Sequence, residues 1–360
     1  ASGITANLGS ILADGGAAVD LVKSGDGTLT LNSAGANTMS GNVVVNGGTL
    51  RLAASRGFNE GYFQGKPTVY TINSGATLEV YGGWNTYSGA SYVVNGGRIH
   101  ASGTGGDTNY VNTLTLNGGS ITGGAGIRTG FFIDPTWIIQ ASATGSTISA
   151  PVGLLRSSGT RLTLDTADGA AADDLTISGV ISDVANYAGQ GIVKSGAGTL
   201  TLSGVNTFTA GLTVSAGVVK VNHNSALGTG TTTLNGGVLR AAVAGGGNRT
   251  LANNLVANAS TTSTLESPLN ENFVLNGNLS GAGSLNKTGD GSVVLGGNNS
   301  GFTGTFTSTA GNVYFSSFSS ASKDAAWTLN GGNQLAAAAS LTGDGVIFLG
   351  SLAGTGGTLT

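Results

Sequence analysis

Apolar and polar residues alternate with period two in short runs, and glycine breaks the runs at regular places. In Val43-Val44-Val45-Asn46-Gly47-Gly48-Thr49-Leu50-Arg51-Leu52, residues Val43, Val45, Leu50 and Leu52 fall on one side, with Val44, Thr49 and Arg51 on the other. That is the pattern of strands with one buried face. The same unit returns at Val93-Val94-Asn95-Gly96-Gly97-Arg98-Ile99, Leu114-Thr115-Leu116-Asn117-Gly118-Gly119, Leu234-Asn235-Gly236-Gly237 and Leu329-Asn330-Gly331-Gly332. Looser copies are Ile72-Asn73-Ser74-Gly75 and Val214-Ser215-Ala216-Gly217. Asparagine and glycine suit a bend with positive φ, which makes Asn46, Asn73, Asn95, Asn117, Asn235 and Asn330 the expected turn and stacking positions.

Asn46, Asn73, Asn95 and Asn117 follow one another at 27, 22 and 22 residues, the length of one coil in a solenoid. Asn-Gly also joins antiparallel hairpins, but hairpins pair within a unit, whereas here the apolar positions recur at coil length. The spacing therefore predicts an all-β chain folded as a right-handed parallel β-helix, a β-solenoid with roughly 20–27 residues per coil. Val45, Val94, Leu116 and Leu234 are expected along an interior column. Residues 1–360 read as one solenoid with repeat-breaking insertions near 55–66, 82–90, 128–137 and 165–174.

A longer signature, Lys23-Ser24-Gly25-Asp26-Gly27-Thr28-Leu29-Thr30-Leu31, recurs as Lys194-Ser195-Gly196-Ala197-Gly198-Thr199-Leu200-Thr201-Leu202 and, with drift, as Lys287-Thr288-Gly289-Asp290-Gly291-Ser292-Val293-Val294-Leu295. The second copy continues through Asn206-Thr207-Phe208-Thr209, Leu212-Thr213-Val214-Ser215-Ala216-Gly217 and Asn224-Ser225-Ala226-Leu227-Gly228 to Leu234-Asn235-Gly236-Gly237. In that order these segments resemble the autotransporter-associated β-strand repeat, the passenger-associated repeat of secreted bacterial proteins. The match is close over 194–240 and fair over 23–52 and 287–315. The resemblance implies a right-handed parallel β-helix, export to an extracellular or bacterial cell-surface location, and adhesin or structural roles with no catalytic residue. The family often carries a C-terminal membrane barrel, and no series of amphipathic ~10-residue strands closes this sequence.

Composition narrows the function classes. Of 360 residues 65 are glycine and 9% are charged, with a net charge of −3 and no cysteine. Scattered lysine and arginine give no clustered positive field for phosphate backbones, so nucleic acid is excluded as a partner. No apolar run approaches the ~20 residues of a membrane-spanning helix. Thiolate chemistry and disulfides are absent. The opening Ala1-Ser2-Gly3 suits a mature exported chain or an excised fragment.

Candidate chemistry is sparse. His100 and His223 lie in different repeats, and no nucleophile elbow or phosphate loop occurs. Asp165, Asp168, Asp173 and Asp174 form the one acidic cluster; they could serve as general acid and base, bind calcium through hard oxygen ligands, or form a plain polar loop between coils. No other cofactor is implied. Aromatics gather in the repeat-breaking segments: Phe58, Tyr62, Phe63, Trp84, Tyr87, Phe131, Phe132 and Trp137. Exposed, they would suit a protein interface or a sugar ring; otherwise they pack on the solenoid flank.

Neither end reads as capped, with Ile4, Leu8, Val346, Phe348, Leu352 and Leu359 as end-pairing positions. A solenoid edge left open pairs with another strand, and a heterologous end-to-end contact propagates. The leading expectation is thus a non-catalytic extracellular structural protein that self-associates head to tail into a filament or surface assembly. The alternative is an adhesin passenger cut from an autotransporter, with surface polysaccharide or a host cell-surface ligand as partner. A carbohydrate-acting β-helix enzyme is the remote third.

Overall fold

A computed structural model describes residues 3–33, 37–53, 69–81, 89–102, 109–129, 134–155, 161–331, 333–338 and 346–359. Among them there are strands and turns but no helix, and hence no helix long and apolar enough to cross a membrane. Strand pairs are parallel throughout, from Thr5–Leu8 on Thr28–Leu31 to Gln334–Ala337 on Thr358–Leu359. The chain divides into two compact units, Ala1–Gln190 and Gly191–Thr360. Each is a β-solenoid in which every coil lays a leading strand, an Asn-Gly or Lys-Ser-Gly corner, and a trailing strand.

In the first unit the leading strands Leu21–Lys23, Val43–Val45, Val69–Asn73, Ser91–Asn95, Thr113–Asn117, Thr136–Ile139 and Arg161–Thr166 form one sheet. Pairing aligns Val45, Ile72, Val94, Leu116 and Ile139 in one inward column and Val43, Tyr70, Tyr92, Leu114 and Trp137 in the next. The rings of Tyr70 and Tyr92 stack with centroids 5.0 Å apart. Opposite lies the trailing sheet, whose inward column runs Leu50, Leu78, Ile99, Ile121, Ile148, Ile177. A short third sheet, Ile127–Thr129, Val152–Leu154 and Ile181–Asp183, closes the later coils.

The second unit begins the same way: Lys194, Val214, Leu234 and Ala257 align in its leading sheet. From Gly247–Leu251 onward a third sheet of six strands joins, and the leading sheet ends at Leu279–Ser280. The last coils bury Trp327 against Phe306 (5.1 Å, stacked), Phe315 (5.2 Å, edge-on) and Phe302 (6.5 Å).

Coil length varies more than the spacing of the asparagines suggested. Thr199 pairs with Val218, 19 residues on, whereas Thr147 pairs with Thr176, 29 residues on. Strand pairing fixes the register only within the sheets, so extra residues enter between strands without disturbing the columns.

Candidate functional site

The Lys-Ser-Gly signature forms a corner held by a buried ammonium. Alternation in Gly191–Ser195 turns Ile192 and Lys194 to the same, inner side. Lys194 has no solvent exposure, and its Nζ donates to the carbonyls of Ser195 (2.7 Å), Gly196 (2.8 Å) and Ala216 (3.2 Å). Two of those oxygens belong to its own corner and the third to the corner one coil on. Lys23 repeats the arrangement on Ser24, Gly25 and Gly47, and Lys287 on Thr288, Gly289 and Ala310. An ammonium has three donors and no acceptor, so three convergent carbonyls satisfy it completely. Burial pulls Lys287 down to about 8, against the opposing attraction of Asp290.

The Asn-Gly-Gly corners are closed differently. In Asn95-Gly96-Gly97 the first glycine takes φ +68°, a left-handed bend, while a side chain on the second would meet the Asn73 carbonyl at 2.6 Å. One glycine turns the chain and the other admits the coil beneath. The asparagines stack: Asn73 Nδ2 donates to Asn46 Oδ1 at 2.7 Å and Asn95 Nδ2 to Asn73 Oδ1 at 3.4 Å. Asn258 Nδ2 donates to Asn235 Oδ1 at 2.5 Å. The Asn117 carbonyl accepts from Gly96, and Asn330 Oδ1 accepts from Thr355 Oγ1.

The model of the passenger-associated-transport-repeat family matches residues 21–52 and 192–221, the two stretches that contain the Lys23 and Lys194 corners. Those two stretches are therefore similar to passenger-associated transport repeats. It is also similar to the adhesin BmaC autotransporter of Brucella suis biovar 1 (strain 1330), 29% identical over 203 residues. That match takes in 51% of this chain and 6% of the adhesin, so the chain spans a small fraction of that protein's length. No solved structure matches. The chain is accordingly a repeat protein with a parallel β-solenoid fold, similar over about half of its length to part of an autotransporter adhesin.

Between the repeats, the other sequence candidates stand apart. Asp165 and Asp168 are exposed, whereas Asp174 is buried and its Oδ1 accepts from the Gly169 N–H at 2.8 Å; no group of three or more acidic or histidine side chains gathers for a metal among the described residues. His100 lies on the outer face of the trailing sheet, its Nδ1 2.9 Å from Thr122 Oγ1. Beside it Glu79 takes bonds from Arg51 (2.8 Å) and Ser102 (2.6 Å). Burial alone would raise the Glu79 carboxyl, but these bonds and the charges of Arg51 and His100 hold it below the usual carboxylate range. His223 Nδ1 accepts from the Ser225 N–H at 3.0 Å, a local turn bond.

Among the aromatics, Phe58, Tyr62, Phe63, Trp84, Tyr87, Phe131 and Phe132 lie outside the described residues. Trp137 takes neither an exposed position at an interface or sugar site nor one on the solenoid flank. Alternation in Thr136–Ile139 sends Trp137 and Ile139 inward and Ile138 outward, so Trp137 is wholly buried with its indole N–H on the Val111 carbonyl. At the first coil Ile4 is exposed and Leu8 half-buried; in the last, Val346, Phe348, Leu352 and Leu359 are exposed.

Sequence reading missed the inward asparagines. Asn206 donates to the Ala226 carbonyl (2.7 Å), Asn253 to Gly228 and Gly230, and Asn299 to Ser320, each from a buried corner. Asn206 and Asn299 share a glycine two residues before, in Gly204-Val205-Asn206 and Gly297-Asn298-Asn299, whereas Asn253 follows Leu251-Ala252 and carries no such signal.

Proposed function

We propose that the chain is a stretch of a surface-displayed adhesin passenger, a non-catalytic rigid scaffold that presents its outer faces outside a bacterial cell. The observation that carries this reading is the coincidence of the two matched repeats with the lysine corners, within a chain similar to an autotransporter adhesin. A scaffold needs inward residues to hold coils together, and in this chain the inward columns are apolar and buried. Display of the 360-residue chain on non-adherent bacteria through a heterologous barrel tests it. Adherence to host cells above the barrel-only control is expected; equal adherence would overturn the reading.

A second reading, head-to-tail association, draws on the apolar side chains exposed on the terminal coils, with Ile4 and Phe348 each 63% exposed. Exposed apolar side chains next to the terminal strands suit packing against a further coil, from the same polypeptide or from a second copy. Sedimentation and electron microscopy across a concentration series separate the two: fibres support association, and unchanged discrete particles refute it.

A further inference from the structure

We infer that the second unit carries a binding groove for a neutral polysaccharide, built on Asn254, Asn278 and Asn298. The inference deepens the adhesin reading and rests on it for its biological setting. A groove of about 330 Å³ crosses successive coils where the leading sheet comes to its end at Leu279–Ser280. The three exposed asparagines occupy equivalent places in three consecutive coils, since Leu255 pairs with Leu279 and Asn299 bonds Leu279 in turn.

Their amides are oriented by the backbone. Asn254 Oδ1 accepts from the Asn278 N–H (2.9 Å), Asn278 Oδ1 from the Asn298 N–H (2.8 Å), and Asn298 Oδ1 from the Ser300 N–H (3.1 Å). With each oxygen engaged, the NH₂ arm of each planar amide lies on the opposite side, and among the described residues none of the three has an acceptor. The closed ladders differ at this point: Asn258 on Asn235 and Asn272 on Asn248 each spend one of their two amide hydrogens on the next oxygen along, leaving one donor where each groove asparagine has two.

The chemistry of the lining selects the ligand. No ionised side chain lines the groove, so charged ligands gain nothing there; Ser280 and Ser300 add hydroxyls that both donate and accept, and Val256 adds an apolar surface. Donors recur at the ~4.8 Å rise of stacked strands, close to the length of one sugar ring along an extended glycan. Uncharged, oxygen-rich and repeating, a neutral polysaccharide matches all three features, in a cleft of the size that holds a short oligosaccharide.

Binding of the full chain to gluco-, galacto- and manno-oligosaccharides, with polygalacturonate as the acidic counterpart, tests the groove by array and then calorimetry. Asn278→Asp keeps the oxygen that accepts from Asn298 but replaces the donor with a charge. It is expected to weaken neutral-glycan binding at least about tenfold with the unfolding midpoint unchanged. Ser280→Trp, which fills the groove, is expected to abolish binding, and Asn258→Asp in a closed ladder to leave it intact. No neutral glycan bound, a preference for polygalacturonate, or undiminished binding by Asn278→Asp would overturn the inference. Failure here leaves cell adhesion untouched, and failure of adhesion leaves glycan binding by the purified chain measurable, so the two readings fall separately.

Discussion

The corners at Lys194 and Lys287 are the same word used in two places. At Lys194 the ammonium closes the passage from a leading strand, Gly191–Ser195, to a trailing strand, Thr199–Leu202. At Lys287 the strand before the corner is a trailing strand, Ser284–Thr288, and the strand after it, Val293–Leu295, belongs to the third sheet. Each ammonium nevertheless takes two carbonyls of its own corner and one from the next coil. The repeat therefore specifies a local bend and its link to the following coil, and the place of that bend in the cross-section follows from the residues in between. The family model matches the Lys194 copy and not the Lys287 copy, although the ammonium geometry is common to both.

If the two corners are equivalent, they should fail alike. Lys194→Met and Lys287→Met keep the aliphatic stem but strip three buried carbonyls of their donor, and each should cost about 3 kcal/mol in urea unfolding. A large loss at one and none at the other would break the equivalence. Next in size are the glycines one coil on, Gly217 and Gly311, at φ +63° and +64°. Alanine at either should cost about 2 kcal/mol or more, with the larger loss at Gly311, where the new Cβ would press closer on the Gly291 carbonyl oxygen than a Cβ at Gly217 would on that of Gly198; paired thermal melts rank them.

The pH dependence sharpens the comparison further. Lys287 titrates near 8 when folded, below its ordinary value of 10.5, so between those values the unfolded chain holds the extra proton. Stability attributable to Lys287 should rise with pH across that window, and Lys287→Met should lose the rise; an identical pH profile for variant and parent would contradict the assignment. The smallest expected effect belongs to the outer face, where Arg240 and Glu266 pair at 3.4 Å, both partly exposed. Arg240→Ala should cost about 0.5 kcal/mol or less, a shift at the edge of calorimetric detection.

Much of the fold was legible in the sequence because alternation and coil spacing speak directly of burial. Val45, Val94 and Leu116 stand in one column of the first unit and Leu234 in a column of the second, and the inward glycines follow from a bend that tolerates no Cβ. The lysines were harder to read, since a charged residue defaults to the surface, yet Lys194 shares parity with the inward Ile192. Trp137 misled for the opposite reason: its neighbours break the repeat, but its own strand alternates regularly. Nothing local in Lys287-Thr288-Gly289 distinguishes its corner from that of Lys194, because position in the cross-section is set by coil length. The groove asparagines carried no signal at all in sequence, as open and closed ladders use the same residue and differ only in which neighbour takes the oxygen.

Lysine labelling tests most directly that the repeat is a corner closed by a buried ammonium. With the native chain near neutral pH, an amine-reactive reagent read out by peptide mass spectrometry should modify the exposed Lys323 rapidly while Lys23, Lys194 and Lys287 stay protected until the chain unfolds. Labelling of Lys194 and Lys287 at the rate of Lys323 would contradict the account.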